Sequence, residues 1–255
     1  MQIATWNVNS LKVRLDHVFD WLKQTSCDVL ALQELKLDNP SNAKLIQCFN
    51  DIGYHYVHNG QKTYNGVALL SKYPLMDIAY DIPDYADEQK RVIAATVNGI
   101  RVICAYFVNG ESLDSAKYQY KLEWLAELKR YINQELQQHK QLILLGDYNI
   151  APEPRDTYAP VIWEGQVLCS DKERQAFRDL IDLGLIDIFR HFNQEDKQFT
   201  WWDYRNMAFR RKQGLRIDHI LVTPNIKDIA TNCVIDLAPR KLERPSDHTP
   251  IILTI

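Results

Sequence analysis

Apolar residues along this chain follow two alternating periods. Short β-rich runs read as strands: QIATWNV (2–8), DVLALQE (28–34), GVALLS (66–71), RVIAATV (91–97), IRVICAYF (100–107) and QLILLGD (141–147). LRIDHILV (215–222), TNCVIDL (231–237) and IILTI (251–255) continue the series. Asn98-Gly99 between two of these runs predicts a tight hairpin. Helical spacing takes over in Leu11, Leu15, Val18 and Leu22, and again from Tyr118 through Leu122, Leu125, Leu128 and Ile132 to Leu136. Ser170 with Glu173 three positions on forms a capping box that opens a helix over 171–183. The pattern predicts a mixed α/β chain with much antiparallel pairing. No low-complexity linker divides it, so one domain is expected, and the Pro-rich polar segment 150–170 reads as a long functional loop.

Composition narrows the picture. A chain of 255 residues, 46% hydrophobic, can bury a sizeable core. Its net charge of -3 excludes a polycation, so binding to nucleic acid requires a local basic patch, which a metal can assist. Cys27, Cys48, Cys104, Cys169 and Cys233 are scattered without a C-x-x-C and suggest reduced thiols. The N-terminal MQIATWNVNS has no basic leader with an apolar core, and no run approaches the roughly 18 apolar residues of a membrane span. A soluble cytoplasmic protein is the expectation.

The candidate chemistry lies where strands end. Asn7 and Asn9 close the first run, Glu34 the second and Tyr106 the hairpin; Asp147 and Asn149 close the sixth. Asp218 sits within LRIDHI, and Asp247-His248 precede the last run. Residues i and i+2 of an extended segment share a face, which pairs Asn7 with Asn9 and Asp147 with Asn149. Any one of these alone is ordinary turn chemistry; together they form a constellation of acids, amides and one histidine at element ends. Two basic clusters flank it: Arg205, Arg210, Arg211, Lys212 and Arg216, then Arg240, Lys241 and Arg244. Such runs often only solvate a face, but here they are candidates for phosphate contact. Among the other histidines, His219 points away from Asp218 along its strand and reads as structural, and His55-x-x-His58 as a strand feature. His17, His139 and His191 have no partner visible in the sequence.

TWNVNSL, ALQELK, AYFVNGE, LLGDYNIAP, FTWWDYR, GLRIDHIL and PSDHTPI together resemble the ordered motifs of the exonuclease III family of apurinic/apyrimidinic endonucleases, within the endonuclease/exonuclease/phosphatase superfamily. The resemblance implies a four-layered α/β sandwich, two packed mixed β-sheets flanked by helices, with the site along one edge. It implies a Mg²⁺-dependent DNA-repair nuclease (Mn²⁺ substituting) that cuts 5′ to abasic sites, leaves a 3′ hydroxyl and trims 3′ ends as exonuclease, phosphatase and phosphodiesterase. In that reading Glu34, Asn7 and Asp247 serve the metal. Asp147 is the base, Asn149 orients water, Asp218 holds His248 toward a phosphoryl oxygen, and Tyr106, Asn109 and Lys36 contact phosphate. Trp201, Leu215 and Ile217 match the family's abasic-sugar pocket, and Arg205, Arg210, Arg211 and Arg216 are candidate DNA contacts. Four departures stand out: Val108 for a proline, Leu35 within Q-E-x-K, Gln213 for an arginine, and Asn9 for an aspartate that bears on a second metal. The partner implied is double-stranded DNA with abasic sites or blocked 3′ ends, met by a cytoplasmic, nucleoid-associated monomer.

Two rival readings come from other classes. A phosphatase or phosphodiesterase of the same superfamily would act on RNA, inositol phosphate or sphingolipid, against which W-W-D-Y-R and the basic cluster argue. A non-catalytic DNA-binding scaffold would have no need of Asn7, Glu34, Asp147, Asn149, Asp218 and His248 together.

Overall fold

A computed structural model describes residues 1–255. Its strands, in chain order, are β1 (Gln2–Asn7), β2 (Val29–Gln33), β3 (His55–Asn59), β4 (Val67–Ser71), β5 (Met76–Tyr80), β6 (Val92–Val97) and β7 (Ile100–Tyr106). There follow β8 (Leu142–Asp147), β9 (Ile186–Asp187), β10 (Trp201–Trp202), β11 (Gly214–Leu215), β12 (Asp218–Val222), β13 (Asn232–Ile235) and β14 (Ile251–Thr254). Two six-stranded mixed sheets result, ordered β13-β14-β1-β2-β4-β3 and β5-β6-β7-β8-β12-β9, with β10 and β11 as a separate ribbon. Apolar side chains from both sheets interdigitate between them, Ile3, Val29, Ala31 and Leu69 from one meeting Ile93, Val102, Ile143 and Leu145 from the other.

Helices cover the outer faces. Leu11, Val18, Trp21 and Leu22 of the helix Leu11–Thr25 pack under the first sheet. Trp124, Leu125, Leu128 and Ile132 of the helix Ala116–Gln138, with Phe177 and Leu180 of Asp171–Asp182, cover the second. The four layers and the predicted long helices are present. Asn98 and Gly99 turn between β6 and β7 with φ of 50° and 80°, the left-handed pair a tight hairpin needs. The capping box of Ser170 and Glu173 is formed reciprocally.

Three local expectations need correction. The run 215–222 is not one strand: β11 pairs with β10, β12 pairs with β8, and Arg216 and Ile217 lie at the joint. Asn9 and Asn149 both have left-handed φ, 43° and 49°, so neither continues its strand. Their pairing with Asn7 and Asp147 rests on hydrogen bonds, not on strand alternation. The segment 150–170 contains a short 3-10 turn at Pro154–Asp156 and a one-turn helix at Pro160–Trp163.

Strand direction places the site. β1 runs parallel to β2, and β7 parallel to β8, so Asn7 lines up with Gln33 and Tyr106 with Asp147 at one edge. β12 is antiparallel to β8 and starts there, pairing Asp218 with Asp147. β14 is antiparallel to β1 with Ile251 opposite Thr5, which brings the preceding Asp247-His248 to the same edge.

Candidate active site

Asn7 sits between the two sheets. Its side-chain amide donates to Glu34 Oε1 at 2.9 Å and to Asp147 Oδ2 at 2.8 Å. Its Oδ1 accepts from the Asn9 backbone amide at 2.9 Å, which settles the amide orientation because a backbone N–H can only donate. Asn7 thus bridges two carboxylates through its amide nitrogen, and its oxygen holds the Asn9 backbone.

Glu34 follows β2 in the left-handed region, φ 54°, which turns its carboxylate off the strand into the edge. It accepts from the Tyr106 hydroxyl at 3.0 Å and pairs with Lys36 at 2.9 Å. Burial, followed by the field of Glu34, pushes the Tyr106 phenol well above its usual range, so it is a neutral donor. Lys36 also donates to Asn9 Oδ1 at 2.5 Å, and Asn9 Nδ2 donates to Asp247 at 2.9 Å.

His248 and Asp218 form a buried pair, His248 Nδ1 lying 2.9 Å from Asp218 Oδ2. The other ring nitrogen is 3.7 Å from Asp147 Oδ2. Burial alone would depress the imidazolium, but the negative charges of Asp218 and Asp147 override it and hold His248 up at about 10. Desolvation also raises Asp147, opposed by the His248 charge and reinforced by Asp218. The outcome is an imidazolium aimed at the edge beside a carboxyl that burial has made more basic than usual.

Asn149 donates to the Phe107 carbonyl and receives the Asn109 amide at 2.9 Å, while its backbone N–H bonds Asp147 Oδ1 at 2.9 Å. Glu34, Asp147 and His248 thus converge, with one ligand atom from each within 4.8 Å of the others. The two carboxylates suit a hard divalent cation. His248 does not, because as an imidazolium locked to Asp218 it has no free lone pair. Asp247 stands outside this group, its oxygens taken by Asn9 and by Trp201 Nε1 at 3.0 Å.

Of the predicted pocket residues, only Trp201 is partly exposed. Leu215 and Ile217 are buried with Ala151, Leu168 and Cys169, so they form the floor behind Trp201 and Trp163. Trp202 fills core against Phe199 and Ala208.

The basic cluster splits. Arg205, Arg210 and Arg211 are exposed, Arg205 pairing with Asp203. Arg216 is not a DNA contact: it is fully buried and spends its guanidinium on Asp156, Asp187 and His219. Arg240 is likewise buried, stacked over Trp202, Tyr204 and Phe209. His219 is structural as predicted, bonding the Ile150 carbonyl. The pair His55 and His58 is on β3 and gathers no further metal donors, and all five cysteines are free thiols. No helix is long and apolar enough to cross a membrane.

Sequence reasoning missed the supports. Thr200 Oγ1 accepts from the Ile217 and Asp218 amides, and Ser246 Oγ donates to the Asn7 carbonyl while accepting from the His248 amide. Both lie inside quoted motifs, Thr200 in FTWWDYR and Ser246 in PSDHTPI, but a lone hydroxyl there gives no sign of which backbone amide it holds.

Two acids, an acid-held imidazolium and three side-chain amides at the edge of a four-layered sandwich define a phosphoester hydrolase of the endonuclease/exonuclease/phosphatase class. The profile of the Endonuclease/Exonuclease/phosphatase family matches residues 4–248, and the chain belongs to that family. It is of the exonuclease III type: it is 34% identical to the exodeoxyribonuclease III of Haemophilus influenzae, over 98% of each chain. A Neisseria 3′-phosphatase solved with product DNA hairpin is 48% identical, with a TM-score of 0.98 over 100% of this chain and 99% of that one. An AP endonuclease from Archaeoglobus fulgidus is 36% identical, with a TM-score of 0.95 and the same coverage.

Proposed function

We propose that this protein is a metal-assisted DNA-repair hydrolase that incises 5′ to abasic sites and trims blocked 3′ ends, working as a single-domain monomer in the cytoplasm, on the nucleoid in a bacterial host. The observation that carries this reading is the Asn7 bridge, which brings Glu34 of one sheet and Asp147 of the other to the His248–Asp218 pair. Hydrolysis of a phosphodiester requires an activated water, neutralisation of phosphoryl charge and an outlet for the departing 3′ oxygen.

Asp147 is the acceptor for the water proton, and its raised basicity suits that task. Asn149, pinned by Asp147 and Asn109, orients the water. His248, held charged by Asp218, donates to a phosphoryl oxygen. Tyr106, Asn109 and Lys36 complete the phosphate contacts. Glu34 is the anchoring ligand for Mg²⁺ or Mn²⁺, with Asn7 and Asp247 placed to act through water. When bound, such an ion neutralises charge on the phosphoryl group and the leaving oxygen. The neighbours named as AP endonuclease and as 3′-phosphatase support the two substrate classes. Trp201 and Trp163, partly buried over an apolar cluster, are the surface against which a flipped sugar without its base would pack.

The test compares an abasic duplex, a 3′-phosphorylated nick and a soluble phosphoinositide, each with Mg²⁺ and with chelator. Cleavage of both DNA substrates is expected, leaving 3′ hydroxyls and ceasing on chelation. Turnover of the phosphoinositide alone, or undiminished cleavage in chelator, would refute the reading.

A further inference from the structure

We propose that Lys121 is a positioning residue for Asn149, and that its buried ion pair with Glu173 fixes the reacting loop and the adjoining Leu168–Ser170 segment together. The inference rests on the role given to Asn149 above.

Lys121 lies on the inner face of the helix Ala116–Gln138, and both it and Glu173 are fully buried. An ammonium so placed is costly unless its donors are used. Lys121 Nζ donates to Glu173 Oε1 at 2.5 Å and to the Asn149 carbonyl at 2.7 Å. Asn149 occupies the left-handed region, which asparagine tolerates better than other side-chain-bearing residues but which still costs backbone energy. Its N–H is held by Asp147 and its carbonyl by Lys121, so charged groups grip the residue at both backbone polar atoms. With those fixed, the side-chain amide has little freedom to leave Asn109 and the Phe107 carbonyl.

Glu173 takes three further hydrogen bonds, from the Leu168 amide at 3.0 Å, the Ser170 amide at 3.1 Å and the Ser170 hydroxyl at 2.6 Å. The Leu168 carbonyl in turn accepts from the Ala151 amide, two residues beyond Asn149. A capping box needs only Ser170 and Glu173. Helix capping therefore gives no reason for a buried lysine, and neutral groups of similar volume in place of both Lys121 and Glu173 need carry no stability cost. What a lysine adds is a donor at the Asn149 carbonyl.

The experiment compares Lys121→Met, Lys121→Arg and the doubly neutral Lys121→Met/Glu173→Gln, which leaves no uncompensated charge if the single variant fails to fold. Thermal unfolding, kcat and KM on a 3′-phosphorylated nick with Mg²⁺, and the ¹⁵N side-chain amide signals of Asn149 are measured. The double variant should unfold cooperatively and lose kcat on the order of 100-fold, as a misplaced orienting group does. KM should stay within about two-fold, the mark of an interaction used in the chemical step. The Asn149 amide signals should shift and broaden, and Lys121→Arg, which keeps the donor, should restore both readouts. A folded double variant with unchanged kcat and unmoved Asn149 signals overturns the proposal. Should the unaltered protein cleave neither DNA substrate, the functional reading fails, and the Asn149 signals alone decide the positioning claim.

Discussion

Asp147 and Gly146 are adjacent, and each is constrained by something outside its own strand. Asp147 owes its raised pKa first to burial and then to Asp218, with His248 opposing. A base must be unprotonated, so kcat/KM should rise with pH as Asp147 ionises and fall again as His248 loses its proton near 10. A bound divalent cation moves the acid limb down, because positive charge favours the carboxylate. Asp147→Asn should lower kcat by roughly 100-fold or more while DNA affinity, measured in chelator, stays nearly unchanged; a variant that keeps the acid limb and the rate contradicts the base assignment. Gly146 invites the idea that it lets the backbone approach the phosphate. The structure gives another reason. Its φ is 148°, and an added Cβ would stand 1.9 Å from the Ala105 carbonyl of the neighbouring strand. Gly146→Ala should destabilise by about 2–3 kcal/mol, as forced overpacking does, read in urea unfolding; a change near zero would show that the two strands can part.

At the scale of elements, the basic run 205–216 shows what charge counting can and cannot deliver. Arg210 and Arg211 are exposed without a carboxylate partner, so replacing both with alanine should reduce the salt slope of DNA binding by about 2. Turnover at saturating DNA should hold, and an unchanged slope would remove these residues from the interface. Arg216 has the same charge but the opposite surroundings. It lies between two apolar residues at the joint of β11 and β12, where the chain changes partners and its side chain turns inward to Asp156. Periodicity found most strands, the hairpin, the long helices and the capping box, because these depend on spacing along the chain. It missed the helices Asn39–Ala43 and Ile46–Asn50 and the strand Met76–Tyr80, which are too short or too exposed to carry a clear period.

The whole molecule adds couplings that no single element contains. Asp156 binds Arg216 and Arg190 within the fold, tying the loop 150–170 to the joint before β12 and to the helix Ile188–Phe192. Burial would raise its carboxyl, but Arg216 and then Arg190 outweigh that and hold it down at about 2. Against 3.8 when unfolded, this depressed value stabilises the fold above pH 3.8, and the gain is lost as pH falls toward 2. The loss should be on the order of 2 kcal/mol. Urea midpoints measured stepwise across that window should fall less steeply for Asp156→Asn than for the unaltered protein; equal slopes would assign acid unfolding to other carboxylates. The active edge is a coupling of the same kind, since Asn7, Glu34 and His248 come with one sheet and Asp147 and Asp218 with the other. The sequence by itself determined the two periods, the order of the motifs and the residue types suited to phosphoester chemistry, because these are properties of neighbours along the chain. Only the tertiary structure decided which arginine is buried, where the Asn7 amide points, that Asp247 bonds Trp201 and Asn9, and that Lys121 reaches the Asn149 carbonyl. Each of those depends on what packs opposite, and the packing of two sheets face to face is a property of the folded chain alone.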